Sequence, residues 1–145
     1  MTAKEYLSQA YKLDKQAGMI LQKAEALRKS LYGRGQNSES GKSTPSGDSL
    51  AKAIARVMDY EHKADEIIDK LIDMRIEIEN AIASVPDPIQ REVLERRYLM
   101  YQPFEGGYDK KTGLYIKGID EAMGYSVRQV YRLHRYGLQK VKVKK

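Results

Sequence analysis

Apolar residues recur with helical spacing over residues 2–31, where the intervals alternate between four and three positions. This heptad pattern predicts one long amphipathic helix, begun by Thr2 as N-cap with Glu5 three residues later. A single helix cannot bury such a stripe by itself, so the stripe requires a partner. Its members are Tyr6, Ala10, Leu13, Ala17, Ile20, Ala24, Leu27 and Leu31.

A second stripe with similar spacing predicts another long helix over about residues 48–84. Between the stripes, residues 32–49 are rich in Gly and Ser, contain Pro45 and have no aliphatic side chain, which is typical of a flexible linker. We therefore expect a long antiparallel, coiled-coil-like helical hairpin over residues 1–85. Apolar residues off the second stripe indicate a further contact, either with the C-terminal domain or with another subunit. The second stripe comprises Leu50, Ile54, Val57, Ala64, Ile68, Leu71, Ile78, Ile82 and Val85.

Pro86 and Pro88 end the second long helix, because neither can continue it and each disfavours helical geometry in the residue before it. Asp87 is placed to cap a new helix that has Pro88 at its first position. This helix, predicted over residues 89–100, has one apolar side that would close the core of a C-terminal domain over residues 86–145. The apolar residues are Ile89, Val93, Leu94 and Tyr98.

Residues 102–117 are too many for a tight connection to the next helix. Two short apolar stretches, residues 108–109 and 114–116, flank a turn that ends in Gly113, where a positive φ is readily adopted. A small β-hairpin is therefore expected. It would act either as a wing that brings the lysines of its turn to phosphates or as a passive surface insertion.

Residues 118–138, GIDEAMGYSVRQVYRLHRYGL, predict two short helices joined by a tight turn. Gly124 can adopt the left-handed conformation that ends the first helix, and Tyr125 would fill the angle between the helices. Ser126 is placed to cap the second helix, and Gln129 completes an S-x-x-Q capping box. The pattern is that of a helix-turn-helix, a motif whose second helix enters the major groove of DNA. The expected core residues are Ile119, Met123, Tyr125, Val130 and Leu133.

The outward face of the second predicted helix carries the candidate site. Arg128, Arg132 and Arg135 recur there at intervals of about one helical turn, so they share a face. Guanidinium groups suit guanine edges and phosphates, which favours DNA binding. The alternative is a solvated basic helix in an ordinary small bundle. The full set of candidate DNA-binding residues is Ser126, Val127, Arg128, Tyr131, Arg132, Arg135, Lys140 and Lys142.

The formal net charge of +6 belongs entirely to the C-terminal part of the chain. Residues 1–85 carry 13 basic and 13 acidic side chains, whereas residues 86–145 carry 13 basic and 7 acidic ones. A basic end on a neutral scaffold is typical of polyanion binding, although a lysine-rich terminus can also be merely solvated.

With no cysteine and two histidines, a disulfide framework is excluded and a zinc site is not expected. Because no nucleotide-binding, hydrolase or metalloprotease motif is present, we expect no catalytic residues, metal or cofactor.

Residues 91–98, 119–130 and 138–141 resemble region four of bacterial sigma factors, and more closely the small sigma-like regulators of Gram-positive phages of the ArpU and RinA kind. The resemblance implies promoter binding, activation of late phage genes and contact with host RNA polymerase. It places the DNA-reading positions at six of the candidate residues, from Ser126 to Arg135. The chain departs from the family at Asp120, where Ala or Gly is usual, and in the long connection before the motif, which normally is shorter and carries an aromatic residue.

These patterns predict an all-α fold, with a helical hairpin arm over residues 1–85 and a helix-turn-helix domain over residues 86–145 that contains a small β-hairpin. The predicted function is that of a sequence-specific transcriptional regulator in the cytoplasm of a bacterial host, an activator of phage or prophage genes. Its expected partners are double-stranded promoter DNA, host RNA polymerase and a second copy bound through the N-terminal helices. No apolar run reaches membrane-spanning length and no secretory signal is recognised, so no membrane partner is expected. Two alternatives stay open: a helical module that docks an acidic protein, and a recognition subunit for phage DNA packaging.

Overall fold

The computed structural model describes residues 1–36 and 47–143. These residues are mostly helical, with one small antiparallel sheet, which confirms the predicted all-α fold and its β-hairpin. In chain order, the elements are α1 (Ala3–Leu7), α2 (Gln9–Gln36), α3 (Gly47–Ala83), α4 (Pro88–Tyr98), β1 (Gly107–Tyr108), β2 (Tyr115–Ile116), α5 (Ile119–Met123) and α6 (Val127–Lys140).

The chain divides into two compact units. One unit is Lys12–Leu71, and the other combines Met1–Tyr11 with Ile72–Lys145. This division differs from the predicted boundary at residue 85, because the start of the chain packs with the C-terminal residues. Leu7 is completely buried, and α1 packs against α6. The apolar start of the predicted arm therefore contributes to the core of the C-terminal unit.

The unit Lys12–Leu71 is built from paired segments of α2 and α3. Its most deeply buried side chains are small or β-branched and recur seven residues apart on each helix, which is the spacing of a close helix–helix seam. Arg28 forms an ion pair with Glu61, so the two helices lie side by side at this point. Leu50 and Ile54, which the pattern assigned to the seam, are 43% and 48% exposed instead. The buried seam residues in this unit are Ala17, Ala24, Val57 and Ala64.

Two predicted boundaries are corrected. The first long helix is interrupted at Ser8, where the Lys4 carbonyl oxygen accepts hydrogen bonds from both the backbone N–H and the hydroxyl of Ser8. The predicted start is confirmed, because Thr2 and Glu5 form both bonds of a capping box. The predicted linker over residues 32–49 is helical at both of its ends, where α2 and α3 extend into it. Its remaining residues, 37–46, lie outside the described residues.

Helix α4 begins as the sequence predicts. The Asp87 carboxylate accepts hydrogen bonds from the backbone N–H groups of Ile89 and Gln90, and Pro88 occupies the first helical position, where it costs no hydrogen bond. Val93 and Leu94 are completely buried. The prediction for Ile89 was wrong, because this side chain is 42% exposed at the first turn.

The predicted hairpin pairs Gly107 with Ile116 and Tyr108 with Tyr115. Asp109 organises its turn by accepting hydrogen bonds from the Lys111 backbone N–H and the Thr112 hydroxyl. Gly113 has a φ of 70°, as the turn requires.

The core of the C-terminal helices contains all five apolar residues predicted for it. Ile119 and Val130 are completely buried together with Val93 of α4, and Met123, Tyr125 and Leu133 pack against them. Phe104, which lies in the long connection, joins the same cluster. The long connection therefore contributes an aromatic side chain to this core.

The long connection also explains Asp120. Its carboxylate accepts a hydrogen bond from the Gly106 backbone N–H (3.2 Å), and the backbone N–H of Ile119 donates to the Pro103 carbonyl oxygen (2.9 Å). The Asp120 carboxylate thus holds the long connection against the start of α5.

We expect Gly118→Ala to lower the free energy of unfolding by about 1 to 3 kcal/mol, because a Cβ at this position would overlap the backbone of Glu105 and Gly106. Urea denaturation followed by circular dichroism measures the effect. Gly107→Ala is the matched control, since nothing lies within 4 Å of a Cβ there. Equal stability of the two variants would contradict the close approach of the loop to α5.

Candidate nucleic-acid interface

The turn between α5 and α6 has the geometry that the sequence predicts. Gly124 has a φ of 72°, in the left-handed region, and the Tyr125 backbone N–H donates to the Asp120 carbonyl oxygen (2.9 Å). This bond satisfies a carbonyl at the helix end, as in a Schellman motif. The Ser126 hydroxyl accepts a hydrogen bond from the Gln129 backbone N–H (3.2 Å), which is one of the two bonds of the predicted capping box. The direction of α6 is thus fixed at its first turn.

Helix α6 presents a basic face to solvent. Arg128, Arg132 and Arg135 are all exposed, and their spacing of four and three residues places them along one side of the helix. Among the residues that the structure describes, none of the three is ion-paired with a carboxylate. Three unpaired guanidinium groups on one rigid helix form a surface of positive potential suited to a polyanion. We call these three residues the arginine face.

The other candidate residues of α6 have more varied surroundings. Tyr131 is 50% exposed, and its ring packs on Phe104 with centroids 4.8 Å apart, so only part of it is free for contact. Val127 is half-buried, and the Ser126 hydroxyl is engaged in the helix cap. Lys140 and Lys142 are exposed beyond the arginine face. The structure therefore places the arginines and lysines at the surface and gives Ser126 a structural role as well.

Behind the arginine face lies a buried polar contact that the sequence analysis missed. His134 on α6 is 8% exposed, and its Nε2 atom shares a hydrogen bond of 2.7 Å with the Tyr98 hydroxyl of α4. Phe104 lies edge-on to the His134 ring with centroids 4.8 Å apart, and the Arg97 guanidinium stands 4.3 Å from the Phe104 ring centroid. Spacing alone did not reveal these partners, because they come from three separate stretches of the chain.

The environment of this pair favours the uncharged forms of both groups. Burial, together with the positive charges of Arg97 and Lys4, lowers the pKa of His134 to about 4. Burial raises the pKa of Tyr98 to about 12. At neutral pH the hydrogen bond therefore joins a neutral imidazole to a neutral phenol, so neither buried side chain is charged.

We expect stability to fall as the pH decreases from 6.5 towards 4, because the unfolded chain takes up a proton at His134 before the folded chain does. Above pH 6.5 this contribution is fully present, and we expect its loss to amount to about 1 to 2 kcal/mol after solvent screening. Denaturation of the wild type and of His134→Gln at a series of pH values measures it as the difference between the two profiles. His62→Gln, at an exposed histidine, should follow the wild type; a parallel profile for His134→Gln would contradict the assignment.

The β-hairpin presents a second surface in the same unit. Tyr108, Leu114 and Tyr115 are 77%, 67% and 50% exposed, and the lysines of the turn are exposed beside them. The Tyr115 hydroxyl donates a hydrogen bond to the Glu121 carboxylate, which raises the pKa of Tyr115 to about 12. This contact attaches the hairpin to α5, at the start of the helix-turn-helix.

No known protein family, curated protein or solved structure matches this chain. Over residues 1–36 and 47–143, no group of three or more His, Asp or Glu side chains is arranged to hold a metal ion. In the same part of the chain, no helix is both long and apolar enough to cross a membrane.

Proposed function

We propose that this protein is a sequence-specific DNA-binding transcriptional regulator whose helix α6 enters the major groove. The observation that carries the proposal is the arginine face, which is exposed, has no carboxylate partner among the described residues and lies on a helix fixed by Gly124 and Ser126. An α-helix fits the major groove, where each base pair presents a distinct pattern of donors and acceptors. A helix set at this turn behind a packed core is the arrangement that helix-turn-helix proteins use.

The side chains divide into two roles in this proposal. Arg128 and Arg132, nearest the start of α6, read base edges, because the first turns of a recognition helix lie deepest in the groove. Arg135, Lys140 and Lys142 contact phosphates and give the complex its salt dependence. Tyr131 contributes its exposed edge, while Phe104 holds its ring in place.

The resemblance to sigma-like phage regulators extends the proposal. On that basis the protein acts in the bacterial cytoplasm as an activator of phage or prophage genes, in contact with host RNA polymerase. The exposed apolar side chains Leu50, Ile54 and Met58 on α3 offer a surface for a second copy of the chain. A dimer would require half-sites about one helical turn apart, whereas a sigma-like monomer would not.

Protection footprinting on the DNA around the gene that encodes this chain tests the proposal directly. We expect a discrete footprint that strengthens when RNA polymerase is added. The variant in which both Arg128 and Arg132 are replaced by alanine should leave no discrete footprint, although diffuse protection at low salt would persist. No protection by the wild type, at low salt and with polymerase present, would overturn the DNA-binding proposal.

A second candidate function is supported by the hairpin. Its exposed Tyr108, Leu114 and Tyr115 lie beside basic side chains, which is a combination suited to docking an acidic protein. In that case the arginine face would add to the protein-docking surface and the chain would be indifferent to duplex DNA at low salt. A gel shift at low ionic strength therefore separates the two functions.

A further inference from the structure

A cavity lies beside the buried Tyr98–His134 pair, and none of the arginine residues of α6 that the proposed function uses is among its lining residues. It has a volume of about 160 Å³ and lies wholly within the unit formed by Met1–Tyr11 and Ile72–Lys145. A water molecule occupies roughly 30 Å³ in the liquid, so the cavity exceeds the space of one water and admits a tetrahedral oxyanion. Its lining residues are Lys4, Ser8, Tyr11, Arg97, Tyr98 and Tyr101.

The lining contains cations and hydroxyl groups, and no carboxylate. Lys4 is exposed at the rim and has three N–H donors. Arg97 uses one nitrogen to donate to the Gln102 carbonyl oxygen (3.1 Å), which leaves further N–H groups of its fork for another acceptor. The hydroxyls of Ser8 and Tyr98 are already bonded to the Lys4 carbonyl oxygen and to His134, so the two positive charges of Lys4 and Arg97 are the donors that complement an anion with several acceptor oxygens.

The positive charges that line the cavity also act on the neighbouring His134 side chain. Arg97 and Lys4 are the two charges that lower the pKa of His134, so their fields converge on the same part of the core. No carboxylate contributes to that shift. An anion bound in the cavity would offset these two positive charges.

Tyr101 forms the strained wall of the cavity. It has a φ of 58° and is the one non-glycine residue with positive φ among those described, a conformation that costs free energy and recurs at ligand sites. Arg75 holds it there by donating to the Tyr101 hydroxyl and to the Leu99 carbonyl oxygen, each at 3.1 Å. Because the hydroxyl oxygen accepts from Arg75, its own proton remains to be donated to another acceptor. Tyr11 packs edge-on to the same ring with centroids 5.3 Å apart.

We propose that this cavity binds a phosphate group, held by Lys4 and Arg97 and by the hydroxyl of Tyr101. The site goes beyond the proposed function, because it uses none of the residues assigned to DNA. The phosphate comes either from a small soluble phosphate compound or from the backbone of a nucleic acid, and the proposal commits to the small soluble compound. Its occupation is independent of the arginine face.

Titration of isotope-labelled full-length protein with inorganic phosphate, followed by amide chemical shifts, tests the site at constant ionic strength against sodium chloride. We expect saturable shifts at the amides of Lys4, Ser8 and Tyr101, and little change at Arg128 and Arg132. Shifts that do not saturate, or that appear equally with chloride, would overturn the proposal.

Two variants localise the binding. Lys4→Gln and Tyr101→Phe should each weaken phosphate binding about tenfold, the effect of losing a hydrogen bond to a charged group. Lys142→Gln is the matched control, since it removes an exposed charge outside the cavity and should bind phosphate as the wild type does. If Lys4→Gln and Lys142→Gln weaken phosphate binding equally, the loss reflects only the net charge of the protein, and the proposed site is wrong.

A duplex of random sequence separates the two sources of phosphate. If the cavity serves a small compound, Lys4→Gln leaves duplex affinity unchanged while phosphate binding weakens as predicted above. If Lys4→Gln weakens duplex binding while free phosphate produces no saturable shift, the group belongs to nucleic acid and the proposal fails. Because the phosphate titration contains no DNA, its outcome is independent of whether the protein regulates transcription.

Discussion

Arg132→Ala and Arg128→Ala are each expected to weaken binding to the specific DNA site by roughly 1 to 3 kcal/mol, the range for losing one bidentate contact to a base. The reason is geometric, because each guanidinium is exposed on α6 without a carboxylate to hold it away from the groove. Gel shifts with the footprinted site and with a scrambled duplex measure the loss of affinity and the loss of specificity. Binding to the scrambled duplex should change much less.

Two control variants separate base reading from general charge. Lys142→Ala should weaken the specific and scrambled duplexes alike and reduce the slope of log affinity against log salt by about 1. Arg56→Ala, an exposed arginine in the unit Lys12–Leu71, should leave both affinities unchanged. If Arg132→Ala loses no more affinity for the specific site than for the scrambled one, the arginine face does not read sequence.

Local signals in the sequence were sufficient to predict α5, α6 and the tight turn between them. The left-handed glycine at 124 and the cap at Ser126 depend on residues a few positions apart, so their chemistry is visible without a fold. The same is true of Asp87 and Pro88 at the start of α4. The apolar positions of α5 and α6 follow helical spacing, and they form the core as predicted.

Contacts between distant parts of the chain could not be predicted in this way. No residue close to His134 in the sequence indicates its contact with Tyr98, which lies 36 residues earlier. The first turns of the chain belong with the C-terminal unit, where α1 packs against α6, and no spacing rule in the sequence indicates that contact. The prediction that the arginine face reads DNA stays a prediction, because exposure and charge describe a surface without naming its ligand.

Phe104 lies in a connection that the sequence predicted, but its place in the core depends on contacts with distant parts of the chain. The sequence predicted that residues 102–117 form a long connection with a hairpin, but it did not show which of their aromatic side chains enters the core. In the structure, backbone bonds from Ile119 to Pro103 and from Asp120 to Phe104 bring the start of the connection against α5. Phe104 then enters the core, and the hairpin projects from the remaining residues.

Phe104→Ala is expected to lower the free energy of unfolding of the C-terminal unit by about 2 to 4 kcal/mol, somewhat less than for a fully buried phenylalanine because Phe104 is half-buried. The truncation would remove the ring contacts to Tyr131, His134 and Arg97 together. Urea denaturation followed by tyrosine fluorescence measures the change. A loss of this size is a large fraction of the stability of a domain of this length.

Tyr108→Ala is the matched control for Phe104→Ala, because it truncates another aromatic residue of the same connection that is 77% exposed. We expect it to change the free energy of unfolding by no more than about 0.5 kcal/mol, as for other surface substitutions. A large loss in both variants would mean that the hairpin is part of the folded core. A small loss in Phe104→Ala would mean that Tyr131 and His134 are positioned without Phe104, and that the arginine face does not depend on the long connection.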